Sequence, residues 1–262
     1  MKTKIFAAVL WGFITLISCS KSDDSNPVNE APIPVLSVES DGTSVLLKSN
    51  ITPVLGATAL LSDDEIEFLY TMREEEKLCR DLYLLFSAKY PAATPIGKIA
   101  SAESTHIAAI ETLLDYYELE YPAMNANGVF EDAARQALYN ELANKSATLS
   151  ETYQTMAFVE ERMIFNYRSA QGQITNANLL LIISNMIKAS SNHLKAVAVQ
   201  ITTLGGSYTP VYLSPEEFST LCGSSFQRGD PCGQQKGQGG NTNSQKGGGQ
   251  CQGNTGNGKR GG

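Results

Sequence analysis

Between Leu61 and Leu204 apolar residues recur three and four positions apart in four long runs, the spacing that gathers side chains on one face of an α-helix. The first run carries Leu69, Met72, Cys79, Tyr83 and Phe86 along one stripe. It opens at Ser62, a good helix cap, followed by Asp63, Asp64 and Glu65, whose charge suits a helix N-terminus. A helix to about Lys89 is predicted. The second run, from about Pro95 to Tyr117, buries Ile99, Ile107, Ile110 and Leu114, after which "YPAMNANGVF" breaks the pattern with Pro and Gly. A shorter helix is expected over roughly Glu131 to Asn144. The third long helix, about Ser150 to Ala170, turns Met156, Val159, Met163 and Tyr167 inward. The fourth, about Asn176 to Leu204, does the same with Leu179, Ile183, Met186, Val197 and Ile201. Few glycines and no strand alternation interrupt residues 61–222, so the class is all-α. Links are short within the first and second pairs of long helices, and about thirty residues separate the pairs. The pattern predicts a four-helix bundle with one long crossover carrying a short extra helix.

Polar residues interrupt the apolar stripes. Inward positions 69, 72, 76, 79, 83 and 86 place Glu76 amid the first stripe, where an unpaired carboxylate is costly. Positions 99, 103, 106, 110 and 113 take in Glu103 and His106, one above the other near a helical turn apart. Glu160 lies between Met156 and Met163, and the fourth stripe includes Ser190 and His193, the second of only 2 histidines. One such residue is ordinarily packing or a misjudged helix phase. At least one in each of four helices points to a shared polar centre, and carboxylate with imidazole is the ligand set of iron, manganese or zinc. A hydrogen-bonded network among the same groups is the alternative. Tyr83 and Tyr167, one to two turns from these ligands, are candidates to tune the centre or relay electrons.

The ends of the chain read differently. "MKTKIFAAVLWGFITLIS" has two lysines and a short apolar run, a secretory leader over residues 1–18. "LISC" resembles a bacterial lipobox, which implies cleavage before Cys19 and its acylation. Residues 19–60 are then expected to be a lipidated terminus and tether, since no later window is apolar for the roughly 20 residues a span needs. "SKSDD" resembles the acidic signal of lipoproteins sent to the outer face of the outer membrane, though a solvated linker reads the same way. From Gly223 to Gly262, 14 of 40 residues are glycine, the composition of a disordered tail without enough apolar surface to fold. Its partner is not legible, and "RGD" at Arg228 to Asp230 is discounted as a chance tripeptide. Cys222 with Cys232 is the simplest disulfide, but Cys251 leaves the pairing open. Cys79, inside a helical pattern, is expected to be a small buried hydrophobe. A net charge of -7 on an exported chain argues against nucleic-acid binding. No nucleotide loop, nucleophile elbow or paired CxxC supports other enzyme classes.

"LYTMREEEKLCRDLYLLF", "IASAESTHIAAIETLLDYY", "FVEERMI", "SSNHLKAV" and "TTLGGSYTPVYLSPEEF" resemble, in order over roughly residues 61 to 219, the blocks of domain of unknown function 2202, a ferritin-like family. The resemblance implies a ferritin-like fold whose metal centre, often di-iron, takes a Glu from the first helix, an ExxH from the second, a Glu from the third and an ExxH from the fourth. By position these are Glu76, in "EKLCRDLY"; Glu103 and His106; Glu160, with Glu161 beside it as an outer candidate; and His193. The fourth helix departs, with Ser190 where the resemblance implies a glutamate, and Met163 stands where it implies another carboxylate. Without a bridging carboxylate a second cation is expected to bind weakly, so one ion or two stays open.

The function expected is that of a membrane-anchored metalloprotein binding iron or another divalent transition metal, with oxidase or peroxide-linked redox activity. The alternative is a non-catalytic cell-envelope scaffold with a degenerate metal site, which Met163 and Ser190 favour. Homodimerisation is left open.

Overall fold

The computed structural model describes residues 32–39, 43–47 and 60–224. The leader, Cys19, the "SKSDD" segment and the glycine tail with Cys232, Cys251 and "RGD" lie outside the described residues. Helix α1 (Asp63–Lys89) starts where expected because Ser62 accepts the Glu65 N–H (3.2 Å) while the Glu65 carboxylate accepts the Ser62 N–H (3.0 Å), a reciprocal cap. The other oxygen of Glu65 takes the N–H groups of Thr175 and Asn176, each at 2.8 Å. One carboxylate thereby ties the start of α1 to the start of α5 (Ala177–Thr203), whose own cap is Asn176.

Helix α2 (Ile96–Tyr116) folds back along α1, and α4 (Leu149–Gln171) pairs with α5 in the same way. The five predicted helices match the observed ones to within two residues at each end. The two helical hairpins share one apolar core, from Leu69 and Phe86 on α1 to Met186 and Ile201 on α5. Contacts between α1 and α4, and between α2 and α5, are sparse. Both seams are closed by other groups. On the first, the Glu75 carboxylate accepts hydrogen bonds from Arg162 of α4 and from Arg135 (3.3 Å) of α3 (Ala133–Asn144).

The crossover between α2 and α3 is fastened to α1 by a buried ion pair. The Lys77 ammonium, 1 % exposed, donates to Asp81 Oδ2 (2.6 Å) and to the carbonyls of Ala126 (3.3 Å) and Val129 (3.1 Å). Asp81 Oδ2 also accepts the Gly128 N–H (2.9 Å), and Asp81 Oδ1 accepts two N–H groups of Arg80. Gly128 has a φ of 76°, and a Cβ there would meet the Tyr139 hydroxyl at 2.7 Å, so the turn requires glycine.

Two elements lie outside the five predicted helices, and the second of them departs from an all-helical chain. Helix α6 (Pro215–Gly223) follows a capping box of Ser214 and Glu217, with Pro215 in its first turn. Strands β1 (Leu36–Val38) and β2 (Ser44–Leu46) form an antiparallel pair that lies against α5 and α2. The folded part therefore reaches into the segment read as a tether. Val35, Leu36 and Val38 are buried, and three-residue strands are too short to show an alternation in sequence. Among the described residues no helix is long and apolar enough to cross a membrane.

Candidate metal centre

Glu76 of α1, Glu103 and His106 of α2, Glu160 of α4 and His193 of α5 converge between the two helical hairpins, each at most 2 % exposed. They meet because each occupies an inward position on its own helix, among residues such as Met72, Cys79, Ile110, Met156 and Met186 that fill the surrounding core. His106 Nδ1 lies 3.1 Å from Glu76 Oε2 and 2.8 Å from Glu103 Oε2. His193 Nδ1 lies 3.1 Å from Glu103 Oε1 and 3.4 Å from Glu160 Oε1. Glu103 is therefore shared, one oxygen turned to each imidazole, and the two rings stack with centroids 5.8 Å apart.

The arrangement repeats with approximate twofold symmetry. Tyr83 follows Glu76 by seven residues on α1 and Tyr167 follows Glu160 by seven on α4. Each phenol crosses to the other helix: Tyr83 donates to Glu160 Oε1 (2.8 Å) and Tyr167 donates to Glu76 Oε1. His106 and His193 correspond, as do Glu103 and Ser190, so the missing second shared carboxylate breaks the symmetry. Ser190 is buried.

Burial and the nearby Glu103 charge push Glu76 up to about 8, against the opposing pull of His106. Burial would raise Glu103 as well, but the two histidines outweigh it and hold that carboxyl well below its ordinary value. Burial works to lower both histidines; Glu103 and Glu76 overcome it and raise His106 to about 9, while Glu160 and Glu103 raise His193 well above its usual range. Glu160 is raised, first by burial and then by Glu103, with His193 opposing. Burial and the adjacent glutamates push both phenols well up. Three carboxylates face two imidazoles, so the cluster needs extra positive charge, which protons or cations can supply.

The donor set fits divalent cations. Ligand atoms of Glu76, Glu103 and His106, and of Glu103, Glu160 and His193, form two groups, each with its atoms within 4.8 Å of one another. Bonds of about 2.1 Å to one ion put neighbouring ligand atoms about 3.0 to 3.4 Å apart in octahedral or tetrahedral geometry. The four contacts to the histidines, at 2.8 to 3.4 Å, match that spacing. Glu103 offers an oxygen to each group, so it is the residue that would be common to two ions held there, with no carboxylate at position 190.

The outer candidates divide. Tyr83 and Tyr167 reach the ligands, whereas Glu161 turns away. Its buried carboxylate takes the N–H groups of Val211, Tyr212 and Leu213 (2.8, 2.7 and 2.6 Å) and the Tyr208 hydroxyl (2.5 Å), fastening the segment before α6. Met163 is buried in the core. Sequence reasoning missed Ser44 of β2, whose Oγ lies 2.7 Å from His106 Nε2; one serine in a polar segment carries no signal of its own.

The model of the family described as "Uncharacterized protein domain (DUF2202)" matches residues 65–225, a stretch that begins after the β-hairpin. An uncharacterized protein of Methanocaldococcus jannaschii, MJ0754, is 33 % identical over 171 residues, covering 64 % of this chain and 92 % of its own. The crystal structure of hypothetical protein MJ0754 superposes with a TM-score of 0.61 at 32 % identity, covering 64 % of this chain and 96 % of that one. The chain belongs to the DUF2202 family.

Proposed function

We propose that this protein is a ferritin-like four-helix-bundle metalloprotein that holds two divalent transition-metal ions, iron first among them, and uses them in oxidase or peroxide-linked redox chemistry. The observation that carries the reading is Glu103, one carboxylate with an oxygen toward each histidine and a further glutamate beyond each. Carboxylate with imidazole and no thiolate among the donors suits iron or manganese better than a soft-metal site. Two ferrous ions would each supply one electron, reducing one peroxide to two waters with uptake of two protons. The chain's own part is to orient Glu160 and Glu76 through the Tyr83 and Tyr167 hydroxyls, to offer Glu103 as common anion, and to keep bulk water away by burial. A lipid on Cys19 would anchor this centre to the outer membrane.

Anaerobic loading of the full chain with Fe(II), followed by metal analysis, tests the reading. Two ions per chain are expected for the parent and none for a His106→Ala, His193→Ala double variant; negligible iron in both overturns it. Consumption of oxygen or peroxide by the iron-loaded parent well above the double variant then separates redox function from the second reading, a non-catalytic envelope scaffold, which Ser190 favours. Loss of lipid labelling in Cys19→Ala tests the anchor.

A further inference from the structure

The β-hairpin is sewn to α5 by three asparagines at seven-residue spacing. Asn178 Oδ1 accepts the Ile33 N–H (2.7 Å), Asn185 Nδ2 donates to the Leu36 carbonyl (3.0 Å) and Asn192 Nδ2 donates to the Glu39 carbonyl (3.2 Å). Seven helical residues advance about 10.5 Å. Three extended residues advance about 10 Å. The two repeats therefore keep step, and every third residue of the extended segment meets the next asparagine.

The last rung brings the hairpin to the metal centre. Pairing of Leu36 with Leu46 and of Val38 with Ser44 puts these four side chains on the inner face, with Val45 on the opposite face, 48 % exposed. Ser44 Oγ thus arrives 2.7 Å from His106 Nε2, on the side of the ring away from Glu76 and Glu103. The hairpin also occupies the seam where α2 and α5 touch only sparsely.

We infer that the inward-facing side chains of the two strands, Leu36, Val38, Ser44 and Leu46, are a built-in wall of the metal centre and that Ser44 is a positioning residue for His106. Its hydroxyl oxygen accepts the Nε2–H, which fixes the imidazole with its Nδ1 lone pair directed at the cation held with Glu76 and Glu103. Val35, Leu36 and Val38 supply the packing, and the asparagine rungs set the depth to which Ser44 enters.

The inference rests on the metal reading, and the test keeps the two apart. Co(II) is titrated into the full chain and into Ser44→Ala, Ser44→Thr and Val45→Ala, with d–d absorption and metal content as readouts. In parallel, ¹⁵N shifts of His106 are measured in the Zn(II)-loaded parent. The parent and Val45→Ala are expected to take two Co(II) ions alike. Ser44→Ala should bind one of the two about 10- to 100-fold more weakly with an altered spectrum, and Ser44→Thr should recover most of the loss. His106 should carry its proton on Nε2. Parent-like Co(II) affinity and spectrum in Ser44→Ala, or His106 protonated on Nδ1 in the zinc-loaded parent, overturns the role of Ser44 while leaving the metal reading standing. Absence of Co(II) from the parent overturns both. The shift measurement needs no variant, so failure of Ser44→Ala to fold leaves the test intact.

Discussion

Glu76 and Lys77 are neighbours in sequence, both 1 % exposed, yet each belongs to a buried charged cluster of a different kind. Around Lys77 the account closes internally. The ammonium's three hydrogens meet Asp81 and two carbonyls, and Asp81 in turn takes Arg80 and the Gly128 N–H. Around Glu76 it does not close. Three carboxylates face two imidazoles, and two phenols donate to Glu160 and Glu76. The first cluster needs nothing from outside and fastens the crossover; the second is satisfied only by protons or cations. Burial of charge by itself is therefore no sign of a site. The sign is burial with partners of the wrong number and sign.

Substitutions should separate the clusters, beginning with the largest effect. Lys77→Met leaves Asp81 buried beside two carbonyls that have lost their donor, and should cost about 3–5 kcal/mol of stability in urea unfolding, as expected for a broken buried pair. Metal content per folded chain should stay that of the parent. Glu103→Gln should behave in the opposite way. The metal-free chain should lose only what the two histidines gain from this carboxylate, but the variant should also lose the metal-dependent stabilisation, which for a parent at 100 times its Kd is about 2.7 kcal/mol.

Glu65 belongs with the closed kind. Burial would raise it, but the N–H groups of Ser62, Asn176 and Thr175 outweigh this and hold its carboxyl below the ordinary value. A depressed carboxyl contributes stability that is present above the unfolded value of about 4.3 and is lost as pH falls through the lower folded one. Glu65→Gln should therefore cost about 1–3 kcal/mol at neutral pH. It should also flatten the acid limb of the stability curve measured by denaturant titration below roughly pH 5. Tyr83→Phe should have the smallest effect, within about 1 kcal/mol in stability. Its metal affinity should fall by up to about 10-fold, measured by Co(II) competition, because Glu160 loses the donor that orients it.

The two clusters also differ in how far they were legible in the sequence. Helix periodicity is strong over runs of twenty residues and more, so the faces carrying Glu76, Glu103, His106, Glu160 and His193 follow from phase alone. Lys77 and Asp81 fall outside the inward positions 69, 72, 76, 79, 83 and 86, and the crossover lies over them. Glu161 sits next to Glu160 in sequence but a hundred degrees away round the helix, facing the backbone of residues 211–213. The sharing of Glu103 was hidden for another reason. The spacing ExxH suggests one carboxylate per histidine, while the reach of a single carboxylate to both depends on how closely α2 approaches α5. The repeat of Asn178, Asn185 and Asn192 is plain in the sequence, but asparagine on a helix acquires meaning only when the strand opposite is known.

That repeat works as a gauge. Because its unit is seven residues on the helix and three on the extended segment, the seam tolerates change only in whole units. Removing one residue between Ile33 and Glu39 would put one of the three rungs out of step with the other two. Adding seven residues to α5 between Asn178 and Asn185 together with three between Ile33 and Leu36 would preserve every rung. The distance from the chain's N-terminal segment to the metal centre is thus counted in steps of about 10 Å, a length scale set by where two backbone rises coincide.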